Sequence, residues 1–316
     1  MCSVPPVFAS NKSVKIAVGG KALYYYLPIS IAESLGYFKD EGLDVEIIDF
    51  QGGSRSLQAV SGAFEHTLSM QARGQAMQAF VLQGRAPQCV FAVSNKTMPD
   101  FKSLAELKGK KIGVTAPGSS SHAIAIFILR NAGIEPKDVS FIGVGASAAA
   151  VAAMRAGQID AFVNLDPVIA TLEKDNVIRI VADTRIVEES DKIFGGPMVA
   201  GCLYAPTRYI KENPDIVQGL TNAVVRANRW LAKATAEDIV KAVPESYFLG
   251  NKDIYVTGFL KNRPALSKDG FIPEHAPEIS FKSLQIINDK LADFKPDYKA
   301  VFTNRFVEAA HKKYPD

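Results

Sequence analysis

The sequence predicts an α/β fold in which parallel β-sheets are covered by helices on both faces. Short apolar runs of strand length alternate with longer segments of helix formers, and turns rich in glycine, serine and asparagine follow the runs. This alternation is typical of parallel sheets. Because such sheets bind ligands at the carboxyl ends of their strands, the same turns form the predicted binding site.

The first third of the chain repeats one unit, which consists of a strand, a polar turn and a helix. The strands are predicted at residues 14–18, 45–50, 66–70 and 89–93. The polar residues that follow them are, in order, Gly19-Gly20, residues 51–54, Gln71 and Ser94-Asn95. Helices are predicted from Pro28, through residue 61 and around residues 74–82.

The same pattern starts again after residue 110. A β-branched run predicts a strand at 112–115, and residues 123–132 are too long for a strand and end before Gly133, which suits a helix stop. Two more strands are predicted at 139–144 and 161–165. They lead to the polar turns at 145–147 and Asp166-Pro167.

Three consecutive serines, Ser119, Ser120 and Ser121, lie where the strand at 112–115 gives way to a helix. One serine is enough to cap a helix. The spare hydroxyls, the first-turn N–H groups and His122 suit a helix end that holds an anion or a polar ligand. The alternative is that Ser119 or Ser120 caps the helix while the other serines and His122 are solvated.

Long helical patterns with few strands begin at about residue 206. They cover residues 215–234, 237–243, 252–261 and 278–294. Because this part is too poor in strands to form its own sheet, we expect its helices to return and cover the first one. That arrangement is a discontinuous domain.

Composition excludes several functional classes. The formal charge of +3, with 36 basic and 33 acidic residues, comes without a dense cluster of Lys and Arg, so no nucleic-acid partner is predicted. The three cysteines, Cys2, Cys89 and Cys202, have no C-x-x-C spacing, and the four histidines lack metal-ligand spacing. We predict no metal and no cofactor.

Two motifs suggest an enzyme, and both are incomplete. Residues 143–148 satisfy G-x-G-x-x-A, but the acidic residue expected to end the next strand is Asp160, which begins one. Ser121 beside His122 lacks the G-x-S-x-G elbow of a nucleophile, and neighbours on a helix point apart. We therefore predict a binding protein with no catalytic residue.

The N-terminus, "MCSVPPVFASNK", carries the small-residue pattern Val7-Phe8-Ala9 that a signal peptidase reads. Residues 1–12 are predicted to be the remnant of a signal peptide. Two alternatives remain open, a lipoprotein anchored through Cys2 and a disordered arm. The sequence has no run of about 18 apolar residues that would span a membrane.

Several motifs resemble the NMT1/THI5-like, sulfonate–nitrate–taurine group of periplasmic substrate-binding proteins of ABC importers. The motifs are G-x-F-x-x-x-G-L-x-V through Gly36, Phe38, Gly42, Leu43 and Val45, the turn Gly52-Gly53-Ser54, "SLAELKGKKIGVTAPGSSSH", and A-x-x-x-G-x-x-D-A through Ala153, Gly157, Asp160 and Ala161. The resemblance covers roughly residues 14–235. A related branch of the family, the thiamin-pyrimidine synthases, has a cysteine-rich iron motif that this chain lacks.

The resemblance implies a two-lobed periplasmic binding protein fold, type II-like, in which each lobe is a mainly parallel sheet flanked by helices. The ligand is expected in the cleft between the lobes. We assign residues 13–97 and 203–316 to the first lobe and 98–202 to the second, with crossings near 94–102 and 195–204. The implied protein is a periplasmic monomer that delivers a small-molecule solute to an ABC permease in the inner membrane.

Strand-end residues form the set of candidate ligand contacts. They are Tyr25, Tyr26, Gln51, Gly53, Gln71, Arg73, Asn95, Ser119, Ser120, Ser121, His122, Ser147, Asn164 and Asp166. The serines and a bidentate Arg73 favour a small organic anion, either a sulfonate or a carboxylate, with the tyrosines lining an organic body. Asp166 would instead suit an amine or hydroxyl donor, so a pyrimidine or another thiamin precursor is the alternative ligand. A biosynthetic enzyme of the THI5-like group is a more remote alternative.

Overall fold

The computed structural model describes residues 11–49 and 59–315. Residues 1–10 of the predicted leader, which include Cys2 and Val7-Phe8-Ala9, lie outside these ranges. The turn at 51–54, including Gln51 and Gly53, also lies outside them.

Ten strands in the described part of the chain form two five-stranded sheets. The strands are β1 (Lys12–Val18), β2 (Leu43–Asp49), β3 (Ala59–Ala63), β4 (Met77–Leu82), β5 (Val90–Ser94), β6 (Lys111–Val114), β7 (Ser140–Gly143), β8 (Ala161–Asn164), β9 (Ile178–Asp183) and β10 (Gly201–Pro206). The strand order is β2-β1-β3-β10-β4 in the first sheet and β7-β6-β8-β5-β9 in the second. Each sheet forms the centre of one lobe.

The helices cover both sheets. They are α1 (Leu27–Ser34), α2 (Tyr37–Asp40), α3 (Glu65–Gln71), α4 (Ser120–Asn131), α5 (Ala148–Ala156), α6 (Val168–Lys174), α7 (Val187–Phe194), α8 (Thr207–Glu212), α9 (Pro214–Lys233), α10 (Ala236–Ala242), α11 (Lys252–Asn262), α12 (Ala276–Ile287) and α13 (Arg305–Lys313). In the described ranges, none of them is long and apolar enough to cross a bilayer.

Each sheet contains one strand that runs against the other four. In the first sheet β1 pairs in parallel with β2 and β3, and β10 is antiparallel to both β3 and β4. In the second sheet β6 is parallel to β7 and β8, and β5 is antiparallel to β8 and β9. The reversed strand is in each case the one that enters from the other lobe.

The chain crosses between the lobes twice. It leaves the first sheet after β4, crosses at residues 83–89, and returns between α7 and β10 at residues 195–200. The predicted first crossing at 94–102, and with it the lobe boundary at residue 97, is wrong because β5 pairs with β8 and β9 in the second sheet. The return lies inside the predicted range 195–204, whose last residues belong to β10.

The C-terminal helices pack on both lobes. Leu220 and Val224 of α9 share the core of the first lobe with Val14 and Ile16 of β1. However, α11 also contacts α6, and α12 contacts α4. Assigning residues 203–316 to the first lobe alone therefore omits the contacts of these two helices with the second lobe.

Three predicted elements between residues 54 and 82 are wrong. The predicted helix through residue 61 is β3, the predicted strand at 66–70 is α3, and the predicted helix at 74–82 contains β4. Most residues of β3, "AVSGA", are small and have low strand propensity. The segment nevertheless forms a strand because it is buried in the sheet. Gly74, which has a φ of 75°, follows the end of α3, so it marks a helix stop and not a helix start.

Candidate ligand-binding cleft

A cavity of about 830 Å³ lies between the two lobes. On the first lobe it is lined by the end of β1 and the segment after it, by Asp49 at the end of β2, and by β3 with His66. On the second lobe it is lined by the segments that follow β6, β7 and β8. Its volume falls within the range of small-molecule sites, which is about 300–1,000 Å³. The carboxyl ends of the parallel strands in both sheets therefore meet at one cleft.

The second-lobe wall begins with the serines at the N-terminus of α4. Ser119 is the N-cap, and its hydroxyl accepts a hydrogen bond from the His122 N–H at 3.4 Å. The hydroxyls of Thr115, Ser119 and Ser121 lie 2.9–3.0 Å apart in a triangle. Ser121 is 2% exposed and also accepts the Thr115 N–H at 2.9 Å. Two of the three serines thus hold the loop together.

Ser120 differs from its two neighbours. It lines the cavity, and within the described ranges its hydroxyl has no hydrogen-bond partner. The backbone N–H groups of Ser120 and Ser121 likewise have no partner in the described part of the chain. Ser120 therefore presents free donors at the positive end of a 12-residue helix.

A second helix N-terminus lies beside the first. Ser147 precedes α5, lines the cavity and forms no side-chain cap, and the first N–H groups of α5, at Ala148 and Ala149, are unpaired among the described residues. The loops before α4 and α5 are joined because the Gly145 N–H donates to the Thr115 carbonyl at 3.1 Å. Two helix N-termini consequently act on the same wall.

His122 adds no positive charge to this wall. Its Nδ1 accepts the Gly118 N–H at 2.9 Å, and its ring packs edge-on against Phe141 with 4.4 Å between the ring centroids. Burial lowers the pKa of His122, so the imidazole is neutral at neutral pH. It is not among the residues that line the cavity.

Aromatic side chains dominate the first-lobe wall. The rings of Tyr25 and Tyr26 lie 5.0 Å apart, and the hydroxyl of Tyr204 lies 3.2 Å from Nδ1 of His66. All four side chains line the cavity. Burial raises the pKa of Tyr26 to about 12, so this phenol remains neutral at physiological pH. The wall can therefore pack against an organic body.

Asp49 is the one acidic residue that lines the cavity within the described ranges. Its two carboxylate oxygens accept the N–H groups of Gly20 at 2.8 Å and Lys21 at 3.0 Å. The Lys21 ammonium is paired with Glu33 at 2.7 Å. The charged groups on this side of the cleft are thus already bonded to the protein.

The family model described as "NMT1/THI5 like" matches residues 24–237. The chain belongs to the NMT1/THI5-like family. The family predicted from the sequence motifs is thereby confirmed.

Solved structures confirm the two-lobed fold of this NMT1/THI5-like protein. A protein from Bordetella bronchiseptica RB50 is 50% identical, with a TM-score of 0.94, and the match covers 97% of this chain and 99% of that one. The alkanesulfonate-binding protein SsuA from Xanthomonas axonopodis pv. citri, solved bound to MOPS, is 19% identical with a TM-score of 0.66, and the match covers 96% and 98% of the two chains. At that identity the likeness to SsuA shows the fold alone.

Two named relatives of the NMT1/THI5-like protein differ in activity. YtlA of Bacillus subtilis (strain 168), named as a candidate binding protein, is 26% identical over 279 residues, which cover 84% of this chain and 80% of YtlA. The 4-amino-5-hydroxymethyl-2-methylpyrimidine phosphate synthase THI13 of Saccharomyces cerevisiae (strain ATCC 204508 / S288c) is 23% identical over 315 residues, which cover 90% and 84%. Binding-protein and enzyme branches are both represented among its relatives.

Six of the predicted contacts line the cavity of this NMT1/THI5-like protein. They are Tyr25, Tyr26, Ser119, Ser120, Ser121 and Ser147. Their contact with a ligand remains a prediction. The structure adds cavity-lining polar residues that were not predicted, namely Lys21, Asp49, Ser61, His66, Thr115 and Tyr204. Asp49 could have been found as the last polar residue before a predicted strand end, whereas His66 and Tyr204 were missed because α3 and β10 were not recognised.

Three predicted contacts lie away from the cavity. Gln71 and Arg73 are at the C-terminal end of α3, where Gln71 exchanges two 3.0 Å hydrogen bonds with the backbone of Asp297. Asn95 follows β5, and its amide donates to the Asn176 carbonyl. Because β5 is antiparallel to its neighbours, its carboxyl end lies at the end of the sheet that faces away from the cleft.

Asn164 and Asp166 lie behind the second-lobe wall and do not line the cavity. Asn164 donates to the Gly145 carbonyl at 3.0 Å, which supports the loop before α5. The Asp166 carboxylate forms a buried ion pair with Arg185 at 3.0 Å and accepts the Ala170 N–H at 2.7 Å. Burial raises the pKa of Asp166, and Arg185 opposes that shift. Asp166 therefore acts in the protein interior.

Proposed function

We propose that this chain is the solute-binding component of an ABC importer. It captures a small organic anion, a sulfonate or a carboxylate, between its lobes and delivers it to a permease in the inner membrane. The observation that carries the proposal is the pair of adjacent helix N-termini, α4 and α5, at one wall of the cleft. Their first N–H groups and the hydroxyls of Ser120 and Ser147 have no hydrogen-bond partner among the described residues.

Neutral donors suit an anionic head group here. Helix N-termini carry about half a positive charge each, and hydrogen bonds to charged groups contribute about 1.5–3 kcal/mol each. Among the described residues, no acidic side chain of the second lobe lines the cavity. An anion at this wall would gain several charge-assisted bonds without meeting a carboxylate.

The rest of the ligand would lie against the tyrosines of the first lobe. The Tyr25, Tyr26 and Tyr204 side chains offer aromatic surface, and the cavity has room for more than an inorganic anion. The preferred ligand class is thus an organic sulfonate or carboxylate whose body packs on aromatic rings.

Capture would proceed by closure of the two lobes around the segments at 83–89 and 195–200. The lobes approach each other closely at the rim of the cleft, since a Cβ added to Gly20 would lie only 3.5 Å from Cβ of Ala146. Closure of this kind buries the ligand and presents one surface to the permease. The protein is proposed to act as a periplasmic monomer, either released by signal-peptide cleavage or anchored through Cys2, and without a nucleic-acid partner.

The alternative ligand, a pyrimidine or another thiamin precursor, loses its main structural support. It depended on Asp166 as an acceptor for an amine, and that carboxylate is bonded to Arg185 and the Ala170 N–H. The enzyme alternative has the yeast synthase as its relative. In the described part of the chain, no group of three or more His, Cys, Asp or Glu side chains could hold a metal ion.

Two measurements test the proposal. Native mass spectrometry of protein purified from its own host should reveal a bound solute of acidic composition. Calorimetric titration with paired aliphatic and aromatic sulfonates and carboxylates should identify an anion that binds, while the matching amides and amines should not. Recovery of a chemically changed compound, or binding of the neutral members alone, would contradict the proposed function.

A further inference from the structure

A buried ion network surrounds Asp166 at the junction of the two lobes. The Arg185 side chain is 0% exposed, and its guanidinium bonds Asp183 at 2.6 Å, Asp166 at 3.0 Å and Glu173 at 3.0 Å. All four residues belong to the second lobe, in the segments around β8, α6 and β9. The network is thus complete within that lobe.

The first lobe also contacts this network. The Asn262 side chain, at the end of α11, donates from Nδ2 to the Asp166 carboxylate, and Asn262 is fully buried. The backbone adds a 3.4 Å hydrogen bond from the Tyr24 N–H to the Asp166 carbonyl. Asp166 therefore receives two donors across the lobe boundary.

The two faces of α11 differ in chemistry. Tyr255 and Phe259 are fully buried in the core of the first lobe. The face toward the second lobe includes Asn262, the partly exposed Lys261 paired with Glu173 at 2.9 Å, and Gly258, where an added Cβ would lie 3.2 Å from Cβ of Ala170. The apolar face of α11 is buried in the core of the first lobe, whereas its contacts with the second lobe are mainly polar and can be replaced by contacts with water. We therefore expect α11 to move with the first lobe.

We infer that Asn262 and Asp166 form a reversible latch that stabilises the closed arrangement of the lobes. When the lobes separate, Asp166 keeps its bonds to Arg185 and the Ala170 N–H, and Asn262 keeps its 3.0 Å bond to the Gly258 carbonyl. Neither side is left with an unpaired buried charge, so the latch can open and re-form. An amide suits this role because it donates to a carboxylate already neutralised by Arg185 without adding charge.

The latch has a consequence for ligand capture, which rests on the proposed function. Neither Asn262 nor Asp166 lines the cavity, yet a contact that breaks when the lobes separate would raise the population of the closed form that holds the ligand. A hydrogen bond to a charged group corresponds to about a 10- to 100-fold change in such an equilibrium. Asn262 is thus a positioning residue for capture.

The first experiment needs no ligand. Spin labels at Lys39→Cys on the first lobe and Lys108→Cys on the second, in a Cys2→Ser background, report the interlobe distance by pulsed electron paramagnetic resonance. Asn262→Ala should shift the ligand-free protein toward longer distances. The matched control is Asn251→Ala on the same helix, which removes the 3.0 Å cap to the Ile254 N–H without reaching the second lobe and should leave the distances unchanged.

A second variant covers the case in which Asn262→Ala does not fold. Asn262→Asp keeps the shape of the side chain, places a second carboxylate against Asp166 and should shift the distances further. If the variants that fold show the wild-type distance distribution, the latch is refuted.

Calorimetric titration adds the link to binding. With the sulfonate or carboxylate probe that binds the wild type, Asn262→Ala should weaken affinity about 10- to 100-fold, mainly through faster dissociation, and Asn251→Ala should not. If probes bind and Asn262→Ala leaves both affinity and distances unchanged, the latch fails while the proposed function stands. If no anion binds the wild type, the proposed function fails and the distance measurement still decides the latch.

Discussion

The neighbouring residues Ser120 and Ser121 provide a matched pair of substitutions. Both are serines in the first turn of α4, and both line the cavity. Their hydroxyls have different partners, since Ser121 is bonded to Thr115 and Ser119 whereas Ser120 has no partner among the described residues. We expect Ser120→Ala to change ligand affinity and Ser121→Ala to change stability.

The magnitude for Ser120→Ala follows from the loss of one hydrogen bond to a charged ligand. Such a bond is worth about 1.5–3 kcal/mol, which corresponds to a loss of about ten- to a hundredfold in affinity. The backbone N–H groups remain, so binding should weaken and not vanish. Because the hydroxyl bonds no other described residue, the free energy of unfolding without ligand should stay within about 0.5 kcal/mol of the wild type.

The magnitude for Ser121→Ala follows from the loop that its hydroxyl holds. The substitution removes the acceptor of the Thr115 N–H at 2.9 Å and opens the hydroxyl triangle. Leaving a buried donor unpaired costs about 1–3 kcal/mol. That loss should appear in the free energy of unfolding of the ligand-free protein.

Two assays separate the variants. Urea denaturation without ligand measures stability, and calorimetric titration with the anion probe measures affinity at a temperature where both variants are folded. The reasoning fails if Ser120→Ala lowers stability while leaving affinity unchanged, since Ser120 would then be a structural residue. Equal effects of the two substitutions on affinity would also contradict the distinct roles of the hydroxyls.

Three further outcomes are expected. Asp49→Asn should tighten anion binding roughly two- to tenfold at low salt, with a smaller gain at high salt, because it removes a negative charge from the cavity wall; weaker binding in calorimetry would contradict this. Burial lowers the pKa of His122, so the free energy of unfolding should fall as the pH drops below the ordinary histidine pKa of about 6.5. Urea denaturation at pH 7 and pH 5.5 should show a smaller loss of stability for His122→Asn than for the wild type. Gly113→Ala should cost about 1–3 kcal/mol because its Cβ would lie 2.6 Å from Cδ1 of Ile159 and 3.0 Å from Cβ of Phe162; an unchanged denaturation midpoint would show that this core can yield.

Local chemistry made the start of α4 predictable. Ser119 is the N-cap, as a serine before a run of helix formers suggests, and Gly133 follows the helix end with a φ of 74°. The alternation of strands and helices likewise predicted parallel sheets, and four of the five strands in each sheet do run in one direction. That pattern was recognisable because it depends on burial over many residues. Features that depend on residues close together in the sequence could thus be predicted without a structure.

The direction of each strand could not be predicted from the local sequence in the same way. Asn95 and Ser147 both follow a strand, and only Ser147 lines the cavity. The difference is that β5 runs antiparallel to its sheet neighbours, which results from the chain entering the second lobe through β5. The error at residues 66–70 has a different cause, since five residues are too few for periodicity to distinguish a strand from a helix. Because residues 66–70 were predicted to be a strand, Gln71 and Arg73 were wrongly expected at the carboxyl end of a strand.

Asp166 shows why the charge of a strand-end residue cannot be assigned to a ligand from its position alone. It follows β8 at the cleft edge of the sheet, yet Arg185, which lies 19 residues further along the chain, neutralises it in the interior. Asp49, at the end of β2, is bonded to two backbone N–H groups. The Asp166 carboxylate thus lies outside the cavity, and the Asp49 carboxylate is already hydrogen-bonded. The positive N-terminal ends of α4 and α5 therefore determine the sign of the electrostatic potential at the second-lobe wall. The proposed preference for an anion therefore depends as much on the position of Arg185 as on the serines that line the cleft.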